Sequence, residues 1–114
     1  MARLEMKGPY DLTAASVEVN VTKSQTGNYA LGKKNDKDLF VVSYVGRSDD
    51  DLPGRIKDHL DEHPLFKFSY ADSVQAAFEK ECTNYHDFSP PGNKAHPARP
   101  AGKTWPCPVA SCKE

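Results

Sequence analysis

Apolar and polar residues alternate along Val17, Glu18, Val19, Asn20, Val21 and Thr22, the period-two pattern of a half-buried strand. The stretch before it, residues 1–15, has no clear period. Residues 28–32 form a short strand candidate. A polar turn with three lysines (Lys33, Lys34 and Lys37) leads into the more apolar residues 39–46, and two strands joined this closely predict an antiparallel hairpin. Asp49, Asp50 and Asp51 then precede Leu52 and Pro53, a helix start with acids at the positive end and proline where its missing N–H does no harm. Leu52, Ile56 and Leu60 repeat at every fourth residue until Pro64 stops the helix. Phe66, Phe68 and Tyr70 alternate with Lys67 and Ser69 as a further strand, and Asp72 with Gln75 resembles a capping box that opens a second helix through about Asp87.

The predicted order is β, β, β, α, β, α and a tail. This is an α/β chain of the α+β type: a small, mostly antiparallel three-stranded sheet with helices packed on it, plus an extra N-terminal strand and an irregular Pro-rich C-terminal lobe. Residues 1–26 read as an N-terminal extension, 27–88 as the core and 89–114 as the tail, all within one domain. The tail holds six of the nine prolines and Trp105 as its one large aromatic. It cannot be a helix or a central strand, and is either a flexible extension or a lobe held by something other than backbone ladders.

Composition narrows the function classes. A formal net charge of −1 over 114 residues gives no composition-level argument for nucleic acid or for an anionic membrane. No apolar run approaches the roughly 20 residues that span a bilayer, and residues 1–10 lack the apolar segment of a secretory signal. Three cysteines, an odd number, point to reduced thiols and a cytoplasmic location rather than a disulfide framework.

The second predicted helix carries the sharpest chemical clue. At about 100° per residue, Val74, Ala77, Phe78 and Tyr85 form one apolar stripe, and Glu81 falls in the middle of it while Glu79 points to the opposite side. A carboxylate on an apolar face costs several kcal/mol unless it is paired, hydrogen-bonded or bound to a cation. Either Glu81 pairs with a buried arginine or tyrosine, or it holds a cation. On the first helix Arg55 and His59 are i, i+4 neighbours flanking the leucine stripe, and a planar guanidinium there can grip a phosphate bidentately.

Gly27-Asn28-Tyr29 opens the hairpin and Tyr44-Val45-Gly46, followed by Arg47-Ser48, closes it. With Arg55 and His59 on the next helix and Glu81 four residues after Ala77, this order resembles the GIY-YIG nuclease domain over residues 27–88. The resemblance implies metal-dependent hydrolysis of nucleic-acid phosphodiesters, DNA more than RNA, with Tyr29, Tyr44, Arg55, His59 and Glu81 at the catalytic site. Gly46 and Arg47 would lie against substrate. It further implies that the tyrosines line a shallow groove and orient or activate water, that Arg55 steadies the phosphate, and that Glu81 holds one Mg²⁺ or Mn²⁺. Such a hard cation takes carboxylate oxygen and keeps several waters. The alternative is a non-catalytic nucleic-acid or protein interaction module that retains the nuclease fold. The sequence departs from the family pattern at Asn28, an amide where an apolar residue is usual, and in the acids 49–51 beside the second motif. The asparagine that often closes the family's core has two candidates, Asn84 and Asn93.

A second metal centre is a separate expectation. Cys82 and His86 are i, i+4 on one helix flank, and His96, Cys107 and Cys112 follow in the tail. Zinc takes four such sulfur and nitrogen donors and orders short irregular lobes. Cys82, His86 and Cys107 head this set, with His96 or Cys112 as fourth. The other reading is a buried Cys82, a surface His86 and an unordered tail. The same tail carries Lys94, Arg99, Lys103 and Lys113 against Glu114, either phosphate contacts or a solvated extension.

Overall fold

A computed structural model describes residues 4–93, 96–98, 100, 102–103 and 105–109. The elements are β1 (Lys7–Asp11), α1 (Ala14–Asn20), β2 (Gly27–Lys34), β3 (Phe40–Ser48), α2 (Leu52–Lys57), β4 (Leu65–Tyr70) and α3 (Val74–Phe88). The four strands form one antiparallel sheet in the order β1-β4-β2-β3. The hairpin, both later helices and the Phe66/Phe68 strand thus stand where the hydrophobic pattern puts them.

The N-terminal strand exists, but in a different place. Val17 to Val21 lie on a helix or just past its end, and the strand is β1, inside the stretch without a period. Valines four apart share a face in a helix as well as in a strand, so the pattern alone leaves two solutions. Thr13 decides between them: its Oγ1 accepts the Ser16 N–H at 3.1 Å and caps α1. Val17 and Val21 are then buried at 0% and 2% exposure while Val19 is 75% exposed. β1 escapes detection because its sequence, Lys-Gly-Pro-Tyr-Asp, carries the two residues most depleted in strands. It tolerates them as an edge strand, pairing only with β4.

Two helix signals also resolve differently from expectation. Ser73, one residue after Asp72, caps α3 through its Oγ and the Ala76 N–H at 3.0 Å. Asp51 does cap α2, accepting from the Gly54 N–H, but α2 ends at Lys57 and the chain runs on through turns towards Pro64. Leu60 still packs against the core from there.

The sheet is covered on both faces. On one, Val17, Val21, Leu52 and Ile56 pack over Tyr29, Leu31, Phe66 and Phe68. On the other, Leu4, Ala30, Val42 and Val45 meet Tyr85 and Phe88 of α3. β2 sits between these layers, with every residue from Gly27 to Gly32 buried. Asn28, the amide in an apolar position, is wholly buried and donates from Nδ2 to the Ala77 carbonyl at 2.9 Å. That bond ties α3 to the central strand one turn before Glu81 and so sets where the carboxylate emerges. Among the described residues no helix is long and apolar enough to cross a membrane.

Candidate functional site

The functional residues gather where the edge strand β3 meets α2 and α3. Tyr29 of β2 pairs with Gly46 of β3, and Leu31 with Tyr44, so both phenols stand on the α2 face of the sheet. Their rings stack 6.2 Å apart. A Cβ on Gly46 would collide with the Tyr29 ring, which explains why the second motif carries a glycine there: the phenol lies across bare backbone. Gly27 is bare for a similar reason, because Leu52 and the Ser69 carbonyl close over it.

Tyr29, Tyr44, Gly46, Arg47, Asp49, Asp50, Arg55, His59, Glu81 and Ala98 line one open groove of about 490 Å³. All seven groove residues picked from the sequence motifs are brought together there. His59 arrives by another route than expected: it lies beyond the end of α2, in the turn that follows, and not on a helical face with Arg55. Its ring packs 5.4 Å from Tyr29 and 5.1 Å from Tyr44. Arg55 is exposed, and its guanidinium makes no hydrogen bond or ion pair among the described residues.

Glu62 belongs to none of the sequence motifs. Its Oε1 lies 2.9 Å from His59 Nδ1, while His59 Nε2 lies 2.9 Å from the Tyr29 hydroxyl. An ionised carboxylate only accepts, so it holds the proton on Nδ1 and leaves Nε2 to accept from Tyr29. The three form a chain from an exposed acid to a buried phenol. Their i, i+3 spacing at His59 and Glu62 is the one sequence signal that could have revealed it.

Glu81 is 8% exposed and its Oε1 accepts from Arg47 Nη1 at 2.6 Å. Arg47 also donates through Nε to Asp49 at 2.9 Å, and its guanidinium lies over the Phe78 ring at 5.4 Å. The arginine partner allowed for Glu81 is therefore Arg47, yet the pair lines the groove and is not sealed inside. Burial pushes the Glu81 carboxyl above its ordinary value, against the pull of Arg47. Burial also pushes both phenols up, Tyr29 most, with Tyr44 and Glu81 adding to the effect at Tyr29 and Glu81 at Tyr44. Both hydroxyls therefore remain phenols at neutral pH.

The chain after α3 returns to this region. The Gly92 N–H donates to the Ser43 carbonyl, and the Asn93 side chain bonds both the Val45 N–H (2.8 Å) and the Val45 carbonyl (2.9 Å). Asn93 thereby acts as one residue of a missing neighbour strand on the open edge of β3. Asn84, the other candidate, is buried on α3 with its Nδ2 lacking a partner among the described residues.

Further along, ligand atoms of Cys82, His96 and Cys107 lie within 4.8 Å of one another, and this group could hold a metal ion. The helical i, i+4 spacing predicts His86 as a ligand ahead of His96. In the fold His96 is inside the group and the His86 ring stands beside it, centroids 5.3 Å apart. Cys112, Lys94, Arg99, Lys113 and Glu114 lie outside the described residues, and Lys103 packs over Trp105.

Comparison with known proteins finds no matching protein family, no matching curated protein and no matching solved structure.

Proposed function

We propose that the groove hydrolyses phosphodiester bonds of a nucleic acid with the help of one divalent metal ion, in the manner of a GIY-YIG endonuclease acting on DNA. The observation that carries this reading is the convergence of two phenols, a histidine, an exposed arginine and a carboxylate from separate elements onto one open groove. Five motif residues scattered over 53 positions would have no reason to meet there if they served only the core. Arg55 is placed to bind the phosphate and the charge that develops on it. The Tyr29 hydroxyl donates to His59, so its lone pairs are left to orient a water in the groove, and His59 is the base that receives the proton. Glu62 fixes the imidazole tautomer that makes this possible.

The donor set suits a single hard cation. Glu81 offers a second carboxylate oxygen beyond the one Arg47 holds, and the open groove leaves room for the waters that Mg²⁺ or Mn²⁺ retains. When bound, such an ion would stabilise the non-bridging oxygens and the leaving group. The thiols and imidazoles of the C-terminal lobe are softer donors, and zinc is the ion we assign to Cys82, His96 and Cys107. A reducing cytoplasm would keep those thiols available to it.

The test is to incubate the protein with branched, nicked and single-stranded DNA and Mg²⁺ or Mn²⁺. Cutting that Glu81→Ala abolishes supports the reading, and absence of cutting on every substrate refutes it. One observation favours a second reading, a binding module without turnover: Arg47 already engages both Asp49 and Glu81 within the groove. Under it, binding persists without metal, weakens in Arg55→Ala and survives Glu81→Ala.

A further inference from the structure

The C-terminal lobe contains no regular secondary structure among its described residues, yet it follows a defined path along β3. Residues 90–109 include six prolines, which remove backbone donors and preclude a ladder. Among the described residues of this stretch only Pro90, Pro97 and Pro100 are buried, with Trp105 and Val109 half-buried. Something else must fix the path.

We propose that the zinc ion assigned to Cys82, His96 and Cys107 has His86 as its fourth ligand, and that it anchors the Pro-rich chain to α3 and thereby seats Asn93 on the edge of β3. This rests on the zinc assignment made above, and does not depend on whether the groove cuts nucleic acid.

Two observations carry it beyond a chance cluster. First, the donors come from both sides of the chain path: Cys82 is wholly buried in the body of α3, while His96 and Cys107 belong to the lobe, eleven residues apart. An ion between them is a crosslink from the irregular chain to a helix already fixed by Asn28. Second, His86 Nε2 is buried and has no hydrogen-bond partner among the described residues. A buried polar nitrogen left in that state costs about 1–3 kcal/mol, and native structures rarely leave one so without a reason. His86 sits one helical turn after Cys82, on the same flank of α3, and its ring is against that of His96. Tyr85 packs edge-on to both imidazoles, at 5.3 Å from His86 and 5.5 Å from His96, which holds the two rings in register. The His86 nitrogens stand outside the group formed by Cys82, His96 and Cys107, so the His86 ring must turn towards the ion; a tetrahedral ion bound by two thiolates and two imidazoles then gives that orphan nitrogen a partner and closes the coordination shell.

The consequence for the groove is geometric. Between the last turn of α3 and His96, Gly92 and Asn93 are the described residues bonded to β3, and two residues after His96 the chain reaches Ala98 on the groove wall. Fixing His96 fixes both ends of that span.

The experiment uses the full chain, purified under reducing conditions. Metal analysis is expected to give about one zinc per chain, and Co²⁺ substituted for it should show the visible spectrum of a tetrahedral thiolate site. Cys107→Ser, in the lobe and outside the buried core, should lose the ion without unfolding the sheet. His86→Ala should weaken zinc by more than about 100-fold, beyond the 10–100-fold that loss of an outer hydrogen-bonding partner costs. Cys112→Ser should leave affinity within about threefold. Removing zinc by chelation should speed exchange of the Val45 amide, which Asn93 protects, and leave the β2–β4 amides unchanged. No zinc in the purified protein overturns the zinc assignment itself. Zinc that survives His86→Ala, or falls as far with Cys112→Ser, overturns the fourth ligand. Zinc removal that leaves Val45 exchange unchanged overturns the anchoring role.

Discussion

The groove and the C-terminal lobe lie side by side against α3 but are held in place by opposite means. Every residue lining the groove except Ala98 is carried by a strand, a helix or the turn directly after one, and backbone hydrogen bonds set its position before any ligand arrives. The lobe has a single backbone bond to β3 from Gly92 among the described residues, side-chain bonds from Asn93, a set of cysteine and histidine donors and edge-on ring contacts. The first can be precise while empty. On the zinc proposal, the second draws its order from an ion. It follows that damage to the groove should cost chemistry and spare the fold, and damage to the lobe should cost local order and affect chemistry only through the edge of β3.

The largest effect expected is in the groove. Glu81→Ala should lower metal-dependent cutting by on the order of 10³-fold, the upper range for removing one electrostatic stabiliser, with the circular dichroism spectrum unchanged. The fold survives because Arg47 keeps Asp49 and the groove admits water. Loss of the folded spectrum instead would mean that Glu81 is a structural partner of Arg47 and the groove is no more autonomous than the lobe.

Next comes the acid–imidazole–phenol chain. His59→Ala should cost about 10²-fold in rate, the lower range for a general base, and Glu62→Gln a smaller loss with an altered rate–pH profile. An alanine effect of equal size at Glu62 with an unchanged profile would reduce Glu62 to packing. Both phenols are held high, so Tyr29→Phe should remove no alkaline limb from the profile near neutral pH.

The groove was legible in the sequence because its residues sit at fixed spacings on elements whose periodicity is strong. Glu81 stands out against Ala77 and Phe78, and the glycines mark where Tyr29 and Leu52 need bare backbone. What stayed hidden has a common cause. α1 was hidden because valines four apart satisfy both periods, and β1 because an edge strand tolerates Gly and Pro. Arg47 as the partner of Glu81, Glu62 behind His59 and Asn93 on Val45 depend on side chains meeting across 34, 3 and 48 residues. Of these only the shortest leaves a mark in local spacing. The place of His96 beside Cys82 and Cys107 belongs here too, since α3 fixes where Cys82 and His86 point but nothing local fixes the return of the tail.

A smaller effect concerns stability and separates burial from catalysis. The Tyr29 hydroxyl ionises less readily folded than unfolded, because burial raises its folded pKa. Its contribution is therefore complete below the unfolded value of about 10 and is lost as pH rises above it, towards the higher folded value. Chemical denaturation should show stability falling above about pH 10, with a shallower fall in Tyr29→Phe. An equal slope in both proteins would mean that the phenol reaches water in the folded state, and that the groove is looser than its hydrogen-bond ladders suggest.

The smallest effect tests the joint between the two regions. Asn93 makes two bonds to Val45 and belongs to neither region alone. Asn93→Ala should cost about 1–3 kcal/mol in the zinc-loaded protein, the range for leaving buried backbone groups without partners. In zinc-free protein the tail no longer presents the residue, so the same substitution should cost almost nothing. The difference between those two values is a coupling energy of the kind a double-mutant cycle isolates. A coupling near zero, with the full cost in both states, would show that Asn93 holds the β3 edge by itself; the lobe would then be an appendage of the groove and not its clamp.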